Sequence, residues 1–133
     1  MPASEKMLAY TVADGLSDNY IRHMSEDPQG FVWMATANGL NRYNGTEITS
    51  YFTTNSELPS NSIFQVKPIP GNCLLLGTGA GVAIMHALTG KVEVWNIAKE
   101  GTLYQHANET ERVFMTPDGH ILAATKTGVY VFD

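Results

Sequence analysis

Asp27-Pro28-Gln29-Gly30-Phe31-Val32-Trp33-Met34-Ala35-Thr36-Ala37-Asn38-Gly39-Leu40-Asn41-Arg42-Tyr43 holds a tight turn, an apolar run, a second turn and another largely apolar run. Proline presets φ in the first turn and glycine tolerates a positive φ at its end. Phe31 to Met34 is apolar at consecutive positions, the pattern of a strand covered on both faces, and the spacing of the turns leaves no room for a helix. The same order returns twice. Adding 42 to Asn19, Met24, Pro28, Trp33, Thr36, Gly39 and Tyr43 gives Asn61, Val66, Pro70, Leu75, Thr78, Gly81 and Met85. Adding 47 more gives Asn108, Val113, Pro117, Leu122, Thr125, Gly128 and Phe132. Repeats of this length read as stacked copies of one small unit.

Each copy begins with a strand near Asn19, Asn61 or Asn108 and passes through the apolar runs Phe31 to Met34, Cys73 to Leu76 and Ile121 to Ala124, each expected to be buried on both faces. Asn44-Gly45 and Thr89-Gly90 then turn the first two copies into a fourth strand, near Glu47 to Thr53 and Val92 to Ile97. Four antiparallel strands in 42 to 47 residues match one blade of a propeller, a twisted sheet whose faces are covered by its neighbours. The sequence therefore predicts an all-β fold: a single, partial β-propeller domain over residues 1–133, with blades at about 19–54, 61–98 and 108–133 plus 6–12. The last assignment rests on Met7 to Val12 followed by Asp14 to Asn19, which resembles Ile48 to Thr53 followed by Ser56 to Asn61. The chain thus opens with a fourth strand, expected to complete the last blade.

With 44% hydrophobic and 16% charged residues, the composition is that of a folded globular chain and not a disordered one. The net charge is -5, and the eight basic residues are scattered with no stripe that could track phosphates, which argues against a nucleic-acid partner. Cys73 is the single cysteine, so no intramolecular disulfide forms, and its apolar run suits a small buried thiol. No apolar stretch approaches the ~20 residues that span a bilayer, and Met7 to Tyr10 is too short for the core of a secretion signal.

Asp27, Gly30, Trp33, Thr36, Gly39 and Leu40 fill every named position of a pattern like Asp-x-x-Gly-x-x-Trp-x-x-Thr-x-x-Gly-Leu. In this the first copy resembles the two-component regulator propeller repeat. The later copies depart from it, with Leu75 and Leu122 in place of Trp33 and Asn72 in place of Gly30. The resemblance implies a periplasmic sensor region of a bacterial hybrid two-component histidine kinase. It further implies a non-enzymatic role, with oligosaccharides or related breakdown products contacted by propeller loops.

Several residues invite other chemistry and are better explained by the repeat. Gly77-Thr78-Gly79-Ala80-Gly81 has the glycines of a phosphate loop, but the same slots hold Ala35 to Gly39 and Ala124 to Gly128, which makes it a blade hairpin. His23, His86, His106 and His120 lack metal-ligand spacing, so no metal or other cofactor is expected. Glu26-Asp27 and Glu109 with Glu111 are a poor carboxylate pair for glycoside hydrolysis, because neighbours on a strand face opposite ways and Asp27 belongs to the turn. Trp33 reads as core and not as a sugar-stacking platform. The repeated asparagines and threonines are expected to hold backbone.

Function is instead expected where the copies differ at one end, in the loops from strand four to strand one and in the hairpins joining strands two and three. A hydroxyl-rich ligand needs a flat apolar face and amide or charged groups, which Tyr20, Arg22, Asn38, Tyr104, His106 and Lys126 supply. The alternative is a structural or protein-interaction fragment. Three blades cannot close a ring when propellers use ~4 to 8, so further blades or a second copy of the chain would cover the exposed faces.

Overall fold

The computed structural model describes residues 7–98 and 107–133. After a short 3-10 turn at Val12–Asp14, capped by Thr11, the chain forms eleven strands among the described residues. They are β1 (His23–Glu26), β2 (Val32–Thr36), β3 (Gly39–Tyr43), β4 (Ile48–Tyr51), β5 (Ile63–Ile69), β6 (Cys73–Thr78), β7 (Gly81–His86), β8 (Val92–Trp95), β9 (Arg112–Met115), β10 (Ile121–Thr125) and β11 (Gly128–Phe132). They build three antiparallel sheets, β1-β2-β3-β4, β5-β6-β7-β8 and β9-β10-β11, each in simple sequence order. The all-β propeller architecture read from the repeat is the one observed.

Local chemistry explains the turns. Between β1 and β2 the Asp27 N–H donates to the Phe31 carbonyl at 2.9 Å and the Gly30 N–H to the Asp27 carbonyl at 3.0 Å, with Gly30 at φ +89°. The third sheet repeats this with Thr116 N–H on the His120 carbonyl and Gly119 N–H on the Thr116 carbonyl, at 2.8 and 3.0 Å. In the second sheet the three-residue loop Pro70-Gly71-Asn72 joins the paired Ile69 and Cys73, and both Gly71 and Asn72 take positive φ.

The sheets stack face to face. Between the first and second, Trp33, Leu40, Ile63, Val66, Leu74, Leu76 and Met85 form a core that excludes solvent. Leu75 and Val82 point the other way and meet Val113, Ile121 and Ala123 of the third. The alternation of side chains along β6 thus serves two cores at once, which is why Cys73 to Leu76 is apolar at every position. Glycine permits the close approach: a Cβ on Gly77 would lie 2.5 Å from the Thr110 carbonyl oxygen.

The third sheet differs from expectation in one respect. Ile121 and Ala123 are buried, but Leu122 and Ala124 are only half-covered, because among the described residues no further sheet packs on that outer face. Residues 7–11 make no strand pairing. They lie against the first sheet, where the Tyr10 and Tyr43 rings are 5.0 Å apart and their hydroxyls 3.1 Å apart. The second sheet stands between this segment and β11, so within one chain the two do not meet.

Candidate functional site

The polar residues that repeat are all held by their own blade or the next connection. Thr36, Thr78 and Thr125 each donate through Oγ1 to the carbonyl of the glycine three residues on, at 2.8, 2.8 and 3.3 Å. Each also accepts from the N–H two residues on, at 3.0 Å. The asparagines fasten the link between consecutive blades: Oδ1 of Asn19 accepts from Val12 N–H, that of Asn61 from Thr53 N–H and that of Asn108 from Ile97 N–H, all at 2.8 Å.

Asp27 accounts for the spacing of the first copy. Its buried carboxylate accepts from Gln29 N–H at 2.9 Å and Phe31 N–H at 3.0 Å through one oxygen, and from the Trp33 indole at 2.8 Å through the other. A buried indole N–H needs an acceptor, and here the turn supplies it. In the other copies the tryptophan and the aspartate are lost together, giving Ile69 with Leu75 and Thr116 with Leu122. Neither Asp27 nor Trp33 is free to meet a ligand.

The glycines of Gly77 to Gly81 are filled by protein. Beside the Thr110 carbonyl at Gly77, a Cβ on Gly79 would meet Ser60 Oγ at 3.0 Å and one on Gly81 the Trp95 carbonyl at 2.6 Å. No phosphate has room against this backbone.

Of the six candidate contact residues, four lie among the described residues; Tyr104 and His106 lie outside them. Tyr20 is 72% exposed, on a loop whose backbone is fixed by Tyr20 N–H on Asp18 Oδ1 at 3.0 Å. Lys126 stands exposed at the tip of the β10–β11 hairpin. Asn38, at the β2–β3 tip, donates from Nδ2 to the Ser17 carbonyl at 3.3 Å and so braces the loop leading into β1. Arg22 is half-buried between blades: its guanidinium donates to Ser62 Oγ at 2.9 Å and the Ile63 carbonyl at 3.2 Å, and stacks 4.3 Å from the Phe64 ring centroid. No hydrogen bond or ring contact joins any two of these four. Tyr20 and Lys126 keep free side chains, and Asn38 and Arg22 have structural partners.

Two features were missed from the sequence. Asn41, fully buried, accepts from Ser17 N–H at 3.1 Å and Ser50 Oγ at 2.8 Å and donates to Ser17 Oγ at 2.8 Å, fixing the same leading loop. Ala83 and Tyr130 occupy its slot in the other copies, so the repeat gave no signal. The second feature lies on the first strands. His23 Nδ1 accepts from Val66 N–H at 3.2 Å, and Gln65, in the equivalent slot one blade on, accepts from Val113 N–H at 2.9 Å. Burial first, then the positive charges of Lys67 and Arg112, hold the His23 imidazole below its ordinary pKa. The shared slot of His23, Gln65 and Arg112 was the available clue. Lys67 and Arg112 also line a cavity of about 280 Å³ with Phe114 and Leu122, and Lys67 Nζ lies 5.6 Å from the Phe114 ring centroid.

Residues 15–38 match the family model for the two component regulator propeller, so the first blade carries that repeat. Among solved structures, the chain is similar to the extracellular domain of the putative hybrid two component system BT3049 from B. thetaiotaomicron. The match has a TM-score of 0.79 and 22% identity, over 95% of this chain and 18% of that one. The corresponding domain of BT4673 from the same organism aligns with a TM-score of 0.57 and 20% identity, over 86% of this chain and 21% of that one. Virginiamycin B lyase from Staphylococcus aureus aligns with a TM-score of 0.56 and 16% identity, over 84% of this chain and 40% of that one. No curated protein matches the chain significantly. The chain thus spans about a fifth of the two sensor domains, and at these identities the likeness establishes the propeller fold. Among the described residues no helix is long and apolar enough to cross a membrane.

Proposed function

We propose that this chain is a non-enzymatic, ligand-sensing propeller segment of a periplasmic two-component signalling protein. Its ligand is an oligosaccharide or related small molecule, met by the loops at one end of the blades. The observation that carries this reading is the regulator repeat at residues 15–38, in which Asp27, Trp33 and Thr36 are consumed by the fold. What remains available for recognition is the variable end of the blades, with the exposed ring of Tyr20 and the ammonium of Lys126. An exposed tyrosine offers a sugar an apolar face with a polar tip at small entropic cost. The Asp27 carboxylate is already accepting three hydrogen bonds, from the turn and from the Trp33 indole.

Calorimetry against a panel of oligosaccharides tests this. Saturable binding without release of cleaved product is expected, weakened about tenfold or more by Tyr20→Ala. Turnover of any glycan in the panel would overturn the non-enzymatic reading, and binding indifferent to Tyr20→Ala and Lys126→Ala would move the site elsewhere.

A further inference from the structure

We infer that the outer cleft between the first two blades, with Glu57 and Lys91 on its walls and Tyr51 beside them, binds a ring of a neutral saccharide. This is a second site, separate from the loop of Tyr20 and the hairpin tip of Lys126.

Both walls of the cleft lie where the second copy departs from the first. One wall is the connection from β4 to β5. Leu16 and Leu58, 42 residues apart, are both buried and anchor equivalent connections, but the residue before them is Gly15 in one and Glu57 in the other. The other wall is the β7–β8 hairpin. Six residues, 86–91, separate the paired Met85 and Val92, whereas four, 44–47, separate the paired Tyr43 and Ile48. Thr89 and Lys91 of this longer turn line a cavity of about 330 Å³ with Tyr51 at the end of β4 and Asn55, Ser56 and Glu57 of the connection. That volume is at the lower end of the ~300–1,000 Å³ of small-ligand sites. The first two blades each have four strands, and the cleft is formed by residues 51–91 alone.

One set of atoms pins the walls and another is left over. Glu57 Oε1 accepts from Val92 N–H at 3.1 Å, which ties the connection to β8. Asn55 accepts from Phe52 N–H at 2.7 Å and donates to the Ser50 carbonyl at 3.0 Å, and the Ser56 hydroxyl donates to the Phe52 carbonyl. On the facing wall, His86 Nδ1 accepts from Leu88 and Thr89 N–H at 3.3 and 3.2 Å, and the Lys91 carbonyl accepts from His86 N–H at 2.8 Å. The Tyr51 ring centroid lies 5.7 Å from that of Trp33. Among the described residues no bond uses the second oxygen of Glu57, the Lys91 ammonium or the Tyr51 hydroxyl, and no ion pair joins Glu57 to Lys91. The cleft is therefore preformed, with its polar groups unspent.

Those groups select the ligand. A carboxylate and an ammonium cancel in net charge, and a hydroxyl satisfies both, donating to Glu57 and accepting from Lys91. Adjacent hydroxyls of a sugar ring offer both at close spacing, and its C–H face suits the Tyr51 ring. A uronate would be repelled by Glu57 and an amino sugar by Lys91, which leaves the neutral sugar favoured.

Two-dimensional NMR of the 133-residue chain, titrated with glucose, galactose, mannose, xylose and lactose in turn, tests this. At least one sugar is expected to shift the Glu57, Gly90 and Lys91 amides saturably at millimolar concentration. Glu57→Gln, which keeps an acceptor for Val92 N–H, and Lys91→Met should each weaken that binding about tenfold or more, the share of a hydrogen bond to a charged group. Both side chains are exposed, so the spectra of the variants should match the parent away from the cleft. Shifts confined to Tyr20 and Lys126 overturn the cleft and leave the proposed end site standing, whereas shifts confined to the cleft uphold it and count against the end site. Absence of a saturable cleft shift with every sugar, or binding indifferent to both substitutions, also overturns the inference.

Discussion

The first and third blades share one backbone and differ in almost everything their neighbours touch. Both make the same pair of turn hydrogen bonds, at Asp27 and at Thr116, and both close the next hairpin with a threonine on a glycine carbonyl. Yet Trp33 is fully buried and tied to a carboxylate, whereas Leu122 in its slot is half-covered and asks for no polar partner. The repeated backbone bonds are thus internal to a blade and survive without neighbours. The identity and burial of the central side chain, by contrast, are set by what packs on each face. Stability in such a stack is largely a sum of interface terms, and the first blade has more of them.

That contrast is most exposed to test at the central slot. Trp33→Ala empties part of the core between the first two blades and leaves one oxygen of the buried Asp27 carboxylate without its partner, so a loss of about 3–5 kcal/mol is expected in urea denaturation. Leu122→Ala removes fewer buried contacts and should cost under about 2 kcal/mol, the low end for such truncations. Equal losses at the two positions would mean that the third blade is as well covered as the first.

A finer cut uses the hairpin glycines. Gly39→Ala forces a Cβ to within 3.0 Å of the Tyr51 carbonyl and 2.9 Å of the Phe52 ring as well as straining a φ of +126°. The left-handed backbone alone costs ~1–2 kcal/mol and crowding adds ~1–3. At Gly128 a Cβ would meet nothing closer than 4.0 Å, so Gly128→Ala should cost the backbone share only. If the two substitutions are equally harmful, the fourth strand beside Gly39 is not what distinguishes them.

How much of this was legible in the sequence follows the same division. The turns, the middle strands and the roles of Thr36, Thr78, Thr125 and the three asparagines could be read because they repeat, and repetition isolates what the backbone itself requires. Asn41 could not, since its slot holds alanine and tyrosine elsewhere and its partners Ser17 and Ser50 are distant in sequence. Arg22 was read as a ligand contact because it is basic and lies near a loop. In the fold its guanidinium is spent on Ser62 and Ile63 of the next blade, an interface that strand patterns do not display. The half-bare face of Leu122 was likewise invisible, since an apolar run records what could be buried and not what covers it.

The smallest difference between the blades is electrostatic, and its sign is opposite at the two ends. In the first, His23 accepts a backbone N–H through an unprotonated Nδ1 and its pKa is lowered by burial and by Lys67. Its contribution to stability is therefore full above its unfolded value near 6.5 and is lost as pH falls through the folded one. In the third, His120 lies 3.0 Å from Asp118 and 3.2 Å from Asp133, and hydrogen bonding to Asp118 raises its pKa. That contribution is present below about 6.5 and is lost as pH rises through the raised value. Asp118, held at about 2 by hydrogen bonds from Thr116 and His120, keeps its charge throughout this range. Both groups of this pair are open to solvent and screened by salt, so the readout is the titration itself. Proton NMR should place the His23 midpoint below that of an unperturbed histidine and the His120 midpoint above it. Asp118→Asn should bring His120 down toward the ordinary value while leaving His23 in place, because the two imidazoles share no partner. Midpoints in the reverse order would mean that the hydrogen bond between the first two blades does not hold His23 neutral.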